Sequence, residues 1–375
     1  MPEIRNPEEQ NVLFGHQHAE QGLLDLWNKG TLAGSWLICG PKGIGKATLA
    51  YRLARFILNN GNNEGQGLFS DLPSADTLSV GEGTSVFNAV AQKSHPDLKV
   101  VERSLKEEEL KSRQAVLNAG KALDEETEKN RKRFDEIRVS DIREAEDFLR
   151  RTSANGGWRV MIIDSADDMN VEAANALLKS LEEPPEKTLM LLISHNPGRL
   201  LATIRSRCRR LNLKSVDDET VEKILRQAYP DLSDEDARSL TVLADGSPGK
   251  ALELAANGGN DLFESWLSLF SAFPDFSIPS LYDFSDKVLK DKEKLKTVQE
   301  LMLIRLTKAA IQAASGQTYH FVGDEEQITK KITSLIPVLK LMDIIDEIRS
   351  DFSDIYLDQK QVFVNACLKL QRGTK

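Results

Sequence analysis

Four short runs are apolar at nearly every position: Ser35 to Cys39, Leu98 to Val101, Val160 to Ile163 and Leu189 to Ile193. Runs of this length without polar alternation predict strands buried on both faces, as in a parallel sheet covered by helices. Between them the apolar positions recur at helical spacing. Ala19, Leu23, Leu24, Leu26 and Trp27 give one face after a polar lead-in, and Leu49, Leu53, Phe56 and Ile57 give another. Asn170 stands as N-cap before Ala174, Leu177, Leu178 and Leu181, and Pro184-Pro185 stops that helix. A further helix is expected from Leu200 to Cys208, with Ser140 or Asp141 capping the one that precedes Val160.

Beyond residue 213 only the helical rhythm remains. Val221, Ile224 and Leu225 lead to a turn at Asp231-Leu232-Ser233, where Ser233 is the expected cap of a helix carrying Ala237, Leu240 and Leu243. Asn257-Gly258-Gly259-Asn260 reads as a boundary. Leu262 to Leu370 is helical in spacing, with loops expected at Phe273-Pro274-Asp275, Ile278-Pro279 and Gly316-Gln317. Two stretches break the pattern. Residues 59–94 are rich in Gly, Asn, Ser and Asp and predict a loop-dominated excursion, and the charged words KEEELKSR and DEETEKNRKR within 104–133 predict a solvated insertion.

The chain's 375 residues suggest two or three domains, and 40% apolar content suffices for real cores. A net charge of −9 argues against a protein that grips nucleic acid unaided. Cys39, Cys208 and Cys367 lie far apart and form neither a disulfide framework nor a metal-ligand spacing, which suits a reducing cytoplasm. There is no apolar run of about 18 residues and no basic-then-apolar leader, so no membrane partner is expected. His95, alone before a proline, is expected to be structural.

The strand ending at Cys39 runs into Gly40, Pro41, Lys42, Gly43, Ile44, Gly45, Lys46, Ala47 and Thr48, followed by a helix. Strand, glycine loop, lysine and helix are the parts of a P-loop, whose backbone N–H groups cradle phosphates. One part is missing: the hydroxyl that would hold Mg²⁺ after the lysine is Ala47, and Thr48 is turned about 100° away along a helix. Either the loop holds a nucleotide, as the intact Lys46 suggests, or it survives as a packing turn. Asp164 sits at the carboxyl end of its strand, where a parallel sheet meets its ligand.

The words AANALLKSLEEPP (Ala173 to Pro185) and LLATIRSRCR (Leu200 to Arg209), with the P-loop at this separation, resemble the clamp-loader branch of the AAA+ ATPases, as found in bacterial DNA polymerase III. The resemblance is strong over about 14–58 and 137–253 and absent over 60–94 and 104–133. It implies an α/β fold with an AAA+ P-loop parallel-sheet domain (1–213, with insertions at about 60–94 and 104–133), a small helical lid (214–258) and an all-helical collar (259–375). It also implies that Phe14 and Gly15 contact a nucleotide base, and that Arg207 is an arginine finger acting in trans. From composition alone, Arg207 among Arg205, Arg209 and Arg210 would be a solvated basic helix end.

Against the resemblance, Ala47, Ser165 in place of a glutamate, His195 at the γ-phosphate-sensing position and Gly249 in place of a lid arginine all depart from a working ATPase. The expectation is therefore a stator subunit of the clamp loader, with little or no ATPase of its own, belonging to a DNA-directed DNA polymerase holoenzyme (a nucleotidyltransferase complex). The alternative is a catalytically active motor-type AAA+ clamp-loader ATPase. ATP or ADP can be held, and Mg²⁺ only poorly. The family's four-cysteine zinc module has no counterpart between Cys39 and Cys208, so no metal is expected. The implied partners are tau/gamma-like and delta-like subunits, with the sliding clamp and primer-template DNA reached through the complex.

Overall fold

The computed structural model describes residues 5–61, 75–119, 123–124, 127–128, 131–151, 153, 156–288, 291–353 and 357–375. The chain divides into two compact units, Ile4–Val216 and Asp217–Lys375.

The first unit is built on a parallel sheet of β1 (Gly34–Cys39), β2 (Leu98–Val101), β3 (Arg159–Ile163), β4 (Thr188–Ser194) and β5 (Arg209–Asn212), in the order β2-β3-β4-β1-β5. The apolar runs are explained by burial on both faces. Alternate residues part company: Trp36, Ile38, Val160, Ile162, Leu189, Leu191 and Ile193 join one apolar cluster, and Leu37, Cys39, Met161, Ile163, Met190 and Leu192 join the other. That is the period of two of a pleated strand serving two cores at once.

Helices α1 (Gln17–Asn28) and α2 (Lys46–Asn60) close the first face, and Arg52 Nε of α2 lies 2.6 Å from Glu20 Oε1 of α1. On the second face lie α5 (Val139–Arg150), α6 (Val171–Glu182) and the short α7 (Ala202–Arg207), through Ile142, Ala145, Leu177, Leu181 and Ile204. Asn170 caps α6 as expected, its Oδ1 accepting the Ala173 N–H at 2.9 Å. At α5 the cap position is Arg138 instead of Ser140 or Asp141; Asp141 Oδ2 accepts the Arg138 N–H at 2.8 Å from inside the first turn. The helix expected over Leu200 to Cys208 is confined to Ala202–Arg207, with Arg207 as its last residue.

Within the stretch read as loop, Ser85–Ala91 forms α3. Thr84 Oγ1 caps it at the Phe87 N–H, and Phe87 and Val90 are buried. Residues 62–74 of that stretch lie outside the described residues. In the charged stretch α4 (Glu107–Asn118) buries no side chain, the condition of a solvated helix.

The second unit is helical: α8 (Asp218–Ala228), α9 (Asp234–Ala244), α10 (Pro248–Ala256), α11 (Gly259–Ser271), α12 (Ile278–Val288), α13 (Lys292–Ser315), α14 (Glu325–Leu335), α15 (Val338–Ser353) and α16 (Gln359–Gly373). Ser233 caps α9 at the Asp236 N–H, 3.1 Å away. Ile278-Pro279 is the first turn of α12 instead of a loop, because first-turn N–H groups have no carbonyl within the helix to donate to, so proline's missing N–H loses no bond there. No helix among the described residues is long and apolar enough to cross a membrane.

Candidate functional site

The end of β1 delivers the chain into the glycine loop at the carboxyl edge of the sheet. Gly40 has φ +148°, and a Cβ there would stand 2.4 Å from the Leu213 carbonyl oxygen, so only glycine lets the loop start this close to the strand beyond. Gly45, at φ +102°, precedes Lys46 and leaves no room for a side chain against Leu13. Pro41, Lys42 and Gly43 are exposed, Ile44 is buried, and Thr48 is half-buried. Ala47 packs against the core of the first face.

The lead-in before α1 is part of this site. His16 Nε2 lies 2.7 Å from the Ile44 carbonyl oxygen and pins the loop from behind, while Gly15 backs onto Val216. Phe14 is half-buried beside them in sequence. The order of residues along the chain hides this meeting of segments 13–16, 40–46 and 213–216.

Lys46 turns back into its own loop, its Nζ donating to Gly40 O at 2.7 Å and to Pro41 O at 2.5 Å. Burial lowers its pKa to about 8, opposed first by Asp167 and then by Asp164. The carboxylate that acts most on the lysine is therefore Asp167, which sequence reasoning missed. Asp167 holds the end of β4: Oδ1 accepts the Ser194 hydroxyl at 2.7 Å, and Oδ2 accepts the backbone N–H of His195 at 2.5 Å and of Asn196 at 3.3 Å. The Asp167-Asp168 doublet was the one signal in the sequence.

Asp164, at the end of β3, has its carboxyl pushed above the usual range by burial and further by Glu102. The next residue, Ser165, is left-handed at φ +60°, and its Oγ lies 3.2 Å from His195 Nε2. Burial, helped by the positive charge of Lys46, lowers the His195 pKa to about 4, so the imidazole is neutral near pH 7. Its Nδ1 is buried with no hydrogen-bond partner among the described residues. Ser165 and His195 are thus engaged with each other, and neither is charged near pH 7.

Around α7 each arginine has its own partner. Arg205 Nη1 reaches Pro197 O at 3.4 Å, and Arg209 Nη1 reaches Thr31 O at 2.7 Å with its guanidinium over the Trp36 ring. Arg207 is exposed, with Nη1 donating to Thr203 O at 3.0 Å and Nη2 paired with Glu182 Oε1 at 2.6 Å. Cys208 is buried, its thiol pushed up to about 12, which rules out a nucleophilic role near neutrality. His95 is structural: its Nδ1 accepts the Asp97 N–H at 3.1 Å.

The sequence profile of the family described as "DNA polymerase III, delta subunit" matches residues 15–217, more than half of the chain and nearly all of the first unit. The chain belongs to that family. Among curated relatives of this polymerase III family, DNA polymerase III subunit delta' of Pseudomonas aeruginosa is 34% identical over 226 residues, which take in 60% of this chain and 57% of that protein. Subunit delta' of Escherichia coli K12 is 38% identical over 116 residues, 31% of this chain and 34% of that one. DNA polymerase III subunit tau of the same organism is 37% identical over 116 residues, 30% of this chain and 18% of that one. Each of these matches spans less than two thirds of the relative's own length.

The family member thus has a parallel sheet with helices on both faces, and its glycine loop stands in the strand-to-helix context expected of a P-loop. Among the described residues no group of three His, Cys, Asp or Glu side chains is arranged to hold a metal ion.

Proposed function

We propose that this chain is a delta-prime-like stator of a bacterial DNA polymerase III clamp loader. It assembles with tau/gamma-like and delta-like subunits, helps place the sliding clamp on primed DNA, and offers Arg207 to the nucleotide of a neighbouring subunit. What supports a stator over a motor is one observation: Ser165 and His195 hydrogen-bond to each other where turnover needs a carboxylate. A neutral serine–histidine pair does not take a proton from an attacking water as a glutamate does, and loss of a general base costs about 10²–10⁴ in rate.

The loop has the parts that hold a phosphate group, backbone N–H groups at a helix N-terminus, and Gly40 is kept side-chain-free by its approach to the Leu213 carbonyl. Lys46, held on the carbonyls of Gly40 and Pro41, is the residue that would meet the phosphate charge. With Ala47 in place of a hydroxyl the metal has one ligand fewer, and Asp164, held above its usual range, is a reluctant anion. We propose that ATP or ADP binds here without useful hydrolysis. In the second unit Gly249 offers no charge at all; its neighbour Lys250 has its ammonium buried beside Glu253, Leu254, Thr297 and Glu300.

Arg207 would act as arginine fingers do, its planar permanent charge meeting a γ-phosphate from outside the site that binds it. The test is steady-state phosphate release by the purified subunit, measured beside equilibrium binding of a fluorescent ATP analogue. Binding without release above background is expected. Robust turnover abolished by Lys46→Ala would replace the stator reading with that of a motor-type ATPase.

A further inference from the structure

We propose that Glu182 is the positioning residue of the Arg207 finger, holding the guanidinium in its working direction while leaving part of it free for a partner's phosphate. The inference rests on the finger reading above and adds to it a residue that no sequence motif assigns.

Three observations carry it. First, α6 ends at Glu182 and α7 ends at Arg207, and Leu177, Leu181, Leu200, Ile204 and Cys208 share one apolar cluster that fixes these two helix ends side by side. Second, Glu182 stands at a helix C-terminus, where a carboxylate meets the negative end of the macrodipole and is disfavoured unless a cation answers it. Arg207 Nη2 answers it at 2.6 Å. Third, Arg207 Nη1 donates at the same time to Thr203 O at 3.0 Å, so two anchors set the plane of the group. A guanidinium has five N–H donors in a fixed fork; one is given to Thr203 O and Nη2 is paired with Glu182, so donors remain for an incoming oxyanion.

The pair is suited to orienting a finger without trapping it. The side chains are 34% exposed for Arg207 and 49% for Glu182, so water and salt weaken the attraction, and a multiply charged phosphate can compete for the guanidinium. Without Glu182 the long arginine side chain samples many rotamers, and the ordering falls to the moment of phosphoryl transfer.

The experiment is DNA- and clamp-stimulated ATP turnover of the reconstituted clamp loader containing wild-type chain, Glu182→Ala, Arg207→Ala or the double variant. Both substituted positions are at the surface, and complex formation is checked by size-exclusion chromatography. We expect Glu182→Ala to lower kcat by about two- to fivefold with little change in KM, the range of a partly exposed pair. The deficit relative to wild type should shrink between about 0.05 and 0.3 M salt, as screening removes the tether from the wild type as well. The double variant should match Arg207→Ala alone. If Arg207→Ala lowers turnover and Glu182→Ala does not, the positioning role is wrong and the finger stands. If Glu182→Ala lowers turnover further on top of Arg207→Ala, its role is structural and the inference falls. If Arg207→Ala itself changes nothing, the finger reading fails and takes the inference with it.

Discussion

Lys46 is the residue on which the proposed nucleotide binding turns. Its ammonium has its pKa lowered from 10.5 to about 8 by burial, despite Asp167 and Asp164 nearby. Phosphate binding needs the protonated form, so affinity for an ATP analogue should be flat below pH 8. It should then fall as pH rises through that value, by up to about tenfold per unit. Titration of binding from pH 6.5 to 9.5 checks this, and affinity unchanged to pH 9.5 would show that the lysine does not engage phosphate. The missing hydroxyl at Ala47 and the missing carboxylate at Ser165 were legible because each is a substitution at a fixed place in a local pattern. The grip of Asp167 on Ser194, His195 and Asn196 was not, because it joins the ends of two strands separated by a helix. Glu182 was hidden in the same way: its role depends on where α6 and α7 end in space. The absence of zinc is also a residue-scale expectation, resting on the lack of any cysteine between Cys39 and Cys208. Elemental analysis should find well under one zinc per chain, and a stoichiometric value would contradict it.

Among elements, those with strong periodicity and a chemically clear cap could be read directly. Four of the five sheet strands, α6 with Asn170 and α9 with Ser233 are examples; β5, mostly exposed, carries no apolar run to announce it. Helix α3 escaped because it is only seven residues long, and Gly- and Ser-rich neighbours mask the two apolar positions, Phe87 and Val90, that bury it. Packing decided there, not propensity. A buried ion pair in the second unit was equally invisible. Arg305 Nε of α13 lies 3.3 Å from Glu325 Oε1 of α14 with both side chains 2% exposed, and Arg305 Nη2 donates to Val242 O of α9 at 3.1 Å. Burial holds the Glu325 carboxyl above its ordinary range although Arg305 pulls it down. Arg305→Met leaves that carboxylate with only the Val322 N–H and the more distant Lys308 to answer it, and should destabilise this unit by about 3–5 kcal/mol near neutral pH. The sign with pH follows: a carboxyl with a raised folded pKa takes up its proton more readily folded than unfolded, so the deficit relative to wild type shrinks as pH falls. Urea unfolding of both proteins at pH 7.5 and 5 measures it. A deficit that grows toward pH 5, or no deficit, would contradict the assignment.

At the scale of the whole molecule, the family profile ends at residue 217, and the first compact unit ends at Val216. The part of the chain that carries recognisable chemistry is thus the part with its own sheet and both cores. In the helical unit that follows, the resemblance reaches only to about residue 253, and beyond it there is no motif to read. Its helices could be placed from periodicity, but what they pack against outside this chain leaves no mark in one sequence. The role proposed for the first unit is to contribute an arginine to a neighbour's site without turnover of its own. The most direct measurement is ATP turnover of the reconstituted clamp loader, stimulated by clamp and primed DNA, with this chain carrying either Arg207→Ala or Lys46→Ala. Arginine fingers can contribute about 10³–10⁵-fold at a single site, diluted here by sites the finger does not touch. The account predicts a clear fall in turnover with Arg207→Ala and none with Lys46→Ala. The opposite pattern, turnover lost with Lys46→Ala and kept with Arg207→Ala, would contradict it.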